Sequence, residues 1–222
     1  VIEEVANVGS DPNLKNLEYI SPALALLHGE PVMSFFDFNA QVLKFASKSG
    51  NEWNIETIDQ SGEVGKHSSL VLDSSGKAWI SYYDFGRGVL KVAHQAGNGW
   101  TTEMVDNRGE VGNFTSITLD KEGNPCISYF NEDRDDLKFA RWNGRAWNTY
   151  TVDSFNHTGL YSSIAFDSKG MAYIAYFSYS NKELRVAIGK DSNWKISTID
   201  KSGKVGYYPS IRFNFEIGSA GR

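Results

Sequence analysis

The sequence predicts an all-β chain folded as a β-propeller, with five blade positions of four-stranded antiparallel sheet and the fifth blade incomplete. Three observations lead there. The chain repeats itself at a fixed period, every period holds four short strand-like runs, and no stretch shows a sustained helical period with caps.

The period is set by landmarks. Trp53, Trp100, Trp147 and Trp194 recur every 47 residues. Leu43, Leu90, Leu137 and Leu184 keep that spacing, as do Ala46, Ala93, Ala140 and Ala187, and Gly29, Gly76, Gly123 and Gly170. The pairs Phe35-Phe36, Tyr82-Tyr83, Tyr129-Phe130 and Tyr176-Phe177 follow it too. One propeller domain over 1–222 then divides into units of about 1–53, 54–100, 101–147 and 148–194, with a partial unit 195–222.

Within the second unit the first run, "SSLVLD", mixes small and apolar residues and belongs innermost. The next two, "AWISYYD" and "VLKVAHQ", carry apolar side chains at both parities, which suits a sheet packed between two others. The last, "WTTEMVD", is opened by the tryptophan and belongs outermost. Gly, Asp, Asn and Ser separate the runs, as turns require. Gly76 follows Asp73 by three positions, which reads as a tight turn in which glycine takes a positive φ.

These units resemble bacterial β-propeller repeats of the form S-x-x-x-D-x-x-G-x-x-x-I-S-Y-Y-D, then L-K-x-A, then G-x-x-W. The resemblance spans nearly the whole chain and implies an architecture, not an activity. The sialidase Asp-box spacing, the paired glycine of kelch and the Trp-Asp ending of WD40 blades are absent.

The inner run occurs five times, near Ala23, Ser69, Ser116, Ser163 and Ser210. The outer run also occurs five times, as "IEEVAN", "NIETID", "TTEMVD", "NTYTVD" and "KISTID", but the middle pair only four times. The N-terminal "VIEEVAN" is expected to serve as the outer strand of the fifth blade. Its missing middle pair implies a longer natural chain cut after Arg222, strands supplied by another chain, or a rudimentary blade; the first is favoured. An unpaired edge there is an opening for self-association. The first unit also carries a longer connection, "VGSDPNLKNLEYISP".

With 22 basic and 27 acidic residues the net charge is -5, which argues against nucleic acid, and no apolar run reaches a membrane span. Cys126 is the sole cysteine, so no intrachain disulfide forms. A secreted or cell-surface setting is favoured over the cytoplasm. Asn113 and Asn156 match the glycosylation acceptor pattern.

Repetition separates scaffold from site: a residue found in every unit answers a demand of the blade, or is one copy of a multivalent site. The series Asp59, Asp106, Asp153 and Asp200, and the series Asp73, Asp120 and Asp167, read as turn chemistry. The position before each inner run varies yet stays mostly aromatic: Ile20, His67, Phe114, Tyr161 and Tyr208, with Tyr19 beside the first. Together with the second-strand ends Asp37, Asp84 and Asn131, these residues are expected at the mouth of an axial channel. Aromatic faces beside polar groups suit sugars; equally, the rings can simply plug the channel.

No catalytic motif is present: H-E-x-x-H and G-x-S-x-G are absent, and the histidines occupy different places in the unit. No cofactor is predicted; the loop "NEDRDD" makes a structural calcium ion conceivable without the spacing of a calcium repeat. The reading favoured is a lectin-like ligand-binding module for a small saccharide or glycan. The alternatives are a glycan-active enzyme, such as a five-bladed glycosidase with Asp37 and Asp84 as axial carboxylates, and a purely structural scaffold.

Overall fold

The computed structural model describes residues 22–213. Blade 1 comprises β1 (Ala23–Leu27), β2 (Glu30–Asp37), β3 (Val42–Ser49) and β4 (Glu52–Asp59). Blade 2 comprises β5 (Val64–Leu72), β6 (Ala78–Asp84), β7 (Val89–Ala96) and β8 (Gly99–Asp106). Blade 3 comprises β9 (Val111–Leu119), β10 (Pro125–Asn131), β11 (Asp136–Trp142) and β12 (Trp147–Asp153). Blade 4 comprises β13 (Thr158–Phe166), β14 (Ala172–Ser178), β15 (Glu183–Lys190) and β16 (Asn193–Asp200). Each blade is an antiparallel meander whose strands pair in chain order. The described residues contain no helix.

The core lies between blades, which is why the middle strands are apolar on both faces. Leu43, Phe45 and Val32 of blade 1 meet Ile80, Tyr82 and Ala93 of blade 2. Leu90 and Val92 meet Ile117, Ile127 and Tyr129 across the next interface, and Leu137 and Phe139 meet Ile164, Ile174 and Tyr176 across the third. The tryptophan landmark belongs to these contacts: Trp100 stands edge-on to Phe45 at 5.0 Å, and Trp194 to Phe139 at 5.2 Å. Each fully buried apolar side chain contributes about 1.5–3 kcal/mol.

The repeated leucine is explained by a repeated glycine. Gly65, Gly112, Gly159 and Gly206 share the 47-residue spacing and positive φ. A Cβ on Gly112 would stand 2.9 Å from the Leu90 Cα of the preceding blade, and one on Gly159 2.7 Å from that of Leu137. Blades approach backbone to side chain here, and only glycine fits.

The repeated aspartate locks blades together. In Asp59, Oδ1 accepts the turn hydrogen bond from the Ser61 N–H at 2.9 Å, the turn role expected of this series. Oδ2 accepts the Tyr82 hydroxyl of the next blade at 2.7 Å, and Lys91 pairs with the same oxygen. Asp106 repeats this with Arg108 N at 3.2 Å and Tyr129 at 2.7 Å. Asp153 does so with Phe155 N at 3.0 Å and Tyr176 at 2.7 Å, with Arg185 at 3.3 Å as the cation. Burial alone would raise the Asp59 carboxyl, but Lys91 and Tyr82 hold it at about 2. Asp73, Asp120 and Asp167 cap their turns, each accepting two backbone N–H groups through Oδ1.

The fifth position carries only its inner segment among the described residues. Ile211 N donates to Ser163 Oγ at 3.2 Å, repeating Ile117 N to Ser69 at 3.1 Å and Ile164 N to Ser116 at 3.3 Å. Residues 201–213 form no strand, and Asp200 keeps its turn bond to Ser202 N at 2.8 Å while staying only partly buried. The blade faces turned toward this position are open. Leu24 is 62% exposed where its equivalent Ile117 is 6%, and Ile199 is 61% exposed where Val152 is 7%. The expected outer strand "VIEEVAN", the long first connection with Tyr19 and Ile20, and the final "SAGR" lie outside the described residues.

Candidate functional site

The variable aromatic position does not precede the inner strand; it sits inside it, on a bulge. Along β5 and β6, Lys66 faces Tyr83 and Ser69 faces Ser81, so β5 holds one extra residue between them. The same shift occurs between Asn113 and Ser116 in β9 and between Leu160 and Ser163 in β13. His67, Phe114, Tyr161 and Tyr208 all adopt left-handed backbone, with φ between 50° and 56°. A bulge with one left-handed residue re-aims its side chain. Here it turns four rings into one arc.

Successive rings touch. Centroids stand 4.5 Å apart for His67 and Phe114, 4.4 Å for Phe114 and Tyr161, and 4.2 Å for Tyr161 and Tyr208. Exposure rises along the arc, from buried His67 through half-buried Phe114 and Tyr161 to exposed Tyr208. The arc borders a cavity of about 270 Å³ to which all five positions contribute, from Pro22 and Ala23 through Tyr208 and Pro209. A wider cavity of about 980 Å³ lies toward the other end of the inner strands, lined by Leu70, Ile117, Ile164 and Ile211 among others.

Hydroxyl groups follow the rings in sequence. Ser68 bonds to Ser34 at 3.0 Å, Thr115 to Ser81 at 2.7 Å and Ser162 to Ser128 at 2.8 Å, each reaching the second strand of the preceding blade. The next equivalents are Pro209 and Ala175, so both hydroxyls are missing together. Burial, then the charge of Lys66, pushes the His67 imidazole down to about 3, so it is neutral at physiological pH. Among the described residues no ionised side chain lines the smaller cavity at neutral pH.

The second-strand ends are placed differently from the rings. Asp37, Asp84 and Asn131 are buried and cap the hairpins that follow them. Asp37 accepts Asn39 N at 3.0 Å and pairs with Lys44 at 2.6 Å. Asp84 accepts Arg87 N at 3.1 Å, and Asn131 accepts Arg134 N at 3.2 Å. None of the three lines the cavity beside the arc.

A second aromatic group, which includes Phe130 and Phe177 of the repeated pairs, adjoins the arc. Tyr207 stacks on Phe177 at 4.2 Å and lies 5.9 Å from Tyr161. Phe177 meets Tyr179 at 6.3 Å, Tyr179 meets His157 at 4.9 Å, and His157 stacks on Phe130 at 5.7 Å. The acidic loop beside it is largely self-satisfied. Asp133 accepts Glu110 N at 2.9 Å, Asp135 pairs with His157 at 3.3 Å, and Asn113 donates to Glu132 at 2.7 Å. Burial and the charges of Glu110, Asp133 and Asp135 raise the Glu132 carboxyl above its usual range. Among the described residues no group of three or more His, Cys, Asp or Glu side chains forms a metal-binding cluster. Cys126 is buried, and burial pushes its thiol up, away from reactivity.

No family model and no curated protein matches the chain. Solved structures do. A protein of unknown function from Dyadobacter fermentans superposes with a TM-score of 0.61 at 14% identity, over 81% of this chain and 68% of that one. The SapL1 lectin in complex with α-methyl fucoside gives 0.58 at 13% identity, over 85% and 65%. An exo-β-1,3-galactanase from Phanerochaete chrysosporium gives 0.55 at 10% identity, over 81% and 49%. The chain therefore spans about two thirds of the first two and half of the third. At these identities the likeness is one of fold, and with the four repeated sheets it establishes a β-propeller.

Proposed function

We propose that this propeller binds a neutral saccharide at the axial aromatic arc, as a lectin-like module. The observation that carries the reading is the arc itself: Phe114, Tyr161 and Tyr208 in contact around a cavity whose described lining holds no ionised group. The bulge demands a left-handed residue, which glycine would supply without the roughly 1–2 kcal/mol that an L-residue costs there. Aromatic side chains at these positions are thus chosen for their faces. Sugar C–H groups stack on such faces while hydroxyls take polar partners, here Ser and Thr side chains and tyrosine hydroxyls. With no cation or carboxylate among the described residues of its wall, the site favours an uncharged ligand. The SapL1 lectin, of the same fold, holds α-methyl fucoside. The reading suits a secreted or cell-surface protein, where glycans are displayed.

The test is calorimetric titration with the methyl glycosides of fucose, galactose and N-acetylglucosamine. At least one is expected to bind saturably, and Tyr161→Ala with Tyr208→Ala to weaken it at least tenfold while the far-UV spectrum is kept. Binding undiminished in that double variant, or no heat from any neutral saccharide, contradicts the reading.

One observation favours a glycan-active enzyme as a second reading. Glu132 and Glu110 meet at one end of the β9–β10 pair, where Glu132 N donates to the Glu110 carbonyl oxygen at 2.8 Å, and Glu132 has the raised carboxyl that a general acid needs. It predicts release of nitrophenol from neutral aryl glycosides, lost in Glu132→Gln; no release above background removes it.

A further inference from the structure

We infer that the axial site is one end of a longer platform, and that its ligand is a linear neutral oligosaccharide running from Tyr208 over Tyr207 to Tyr179. This rests on the saccharide reading above and extends it to the class of ligand.

Tyr208, Tyr207 and Tyr179 are 57%, 43% and 56% exposed. They are linked by less accessible rings, Tyr161 between the first two and buried Phe177 between the last two, Phe177 standing edge-on to Tyr179. Three exposed aromatic rings, each in contact with a less accessible one, are held with little side-chain entropy left to lose on binding. The ring contacts return from Tyr179 through His157 and Phe130 to Phe114, the last pair 6.4 Å apart, so the platform and the arc form one connected aromatic network.

The blade does not require this surface. Tyr207 is matched by Lys66, Asn113 and Leu160 in the other units. Lys66 lies over the Phe85 ring at 3.8 Å and Asn113 bonds Glu132, so in those blades the position is used for local contacts. His157, which packs on Tyr179, is matched by Glu63 and Glu110. Tyr179 is matched by Phe38 and Phe85, which also stand edge-on to the ring two residues earlier, so that pair recurs, but among the described residues only beside blade 4 does a third exposed ring, Tyr207, join it to the arc. A single elongated surface joined to the mouth fits one extended ligand better than several separate monosaccharides. Its tyrosine hydroxyls and the neighbouring Asn181 offer neutral polar partners, and the carboxylates of the adjacent "NEDRDD" loop disfavour an acidic polymer.

The experiment compares affinities along linear galactose, glucose and xylose series of one to four units. The affinity of the series that binds is expected to rise at least tenfold from one unit to three. Tyr179→Ala with Tyr207→Ala should erase that gain and leave monosaccharide affinity within twofold, while Tyr179→Phe with Tyr207→Phe should keep most of it. Affinity independent of length, or a gain that survives loss of both rings, overturns the inference but leaves the axial reading standing. No binding at any length overturns both, and a proline-rich peptide that binds the platform where oligosaccharides do not overturns the inference in favour of peptide recognition.

Discussion

His67 is the one basic member of the aromatic arc, and it is 3% exposed. Its imidazole titrates near 3 when folded and near its ordinary 6.5 when unfolded. Between those values the unfolded chain binds a proton that the folded chain refuses, so stability falls as pH drops through this window. By pH 4.5 the loss amounts to about 2–3 kcal/mol. Phenylalanine already occupies the same bulge one blade on, at Phe114, so His67→Phe preserves the geometry and removes the titration. Thermal unfolding at pH 7 and pH 4.5 should show a smaller drop in midpoint for the variant than for the parent; equal drops would show that His67 is not what limits acid stability. The Asp59 latch acts lower, losing its contribution as pH falls from near 4 toward 2. The sequence pointed to turn roles for the aspartates, since Asp before Ser or Asn is local chemistry. It was silent on their second oxygen, because a bond from Asp59 to Tyr82 depends on how blades stack.

Strands and turns were legible because the 47-residue period repeated each signal four times. The bulge was not. One extra residue in a strand leaves no mark in an alternation already blurred by burial on both faces, so the aromatic position looked like the end of a loop. The Val-Gly pairs at Val64-Gly65 and Val111-Gly112 carried the missing signal, since they keep the period just ahead of the rings. Two glycines of like φ separate their roles. Gly123 has φ 82° and nothing within 4 Å of an added Cβ, whereas Gly112 has φ 114° and the Leu90 backbone at 2.9 Å. Gly123→Ala should cost about 1 kcal/mol, from conformation alone. Gly112→Ala should cost about 3 kcal/mol or more, because the preceding blade must move. Urea unfolding decides; equal costs would mean that the close approach of blades does not set the spacing.

At the scale of the whole molecule, the described residues place five inner segments around one axis and four complete sheets about it. The sequence showed this imbalance directly, as five inner runs against four middle pairs. His67, Phe114, Tyr161 and Tyr208 lie side by side, because equivalent positions of a propeller converge on its axis. Asp37, Asp84 and Asn131 are equivalent in the same way, yet their side chains turn into their own hairpins, a choice made by local hydrogen bonding that the period does not record. The platform of Tyr207, Phe177 and Tyr179 stayed hidden because it joins residues from different places in the repeat. What distinguishes this molecule from its scaffold is therefore the aromatic surface at and beside the axis. The most direct measurement is a crystal structure of the protein soaked with the neutral saccharide that binds in titration. The account predicts a sugar ring lying against Tyr161 and Tyr208 at the axial mouth; sugar bound instead at equivalent clefts between the blades, with the mouth empty, would contradict it.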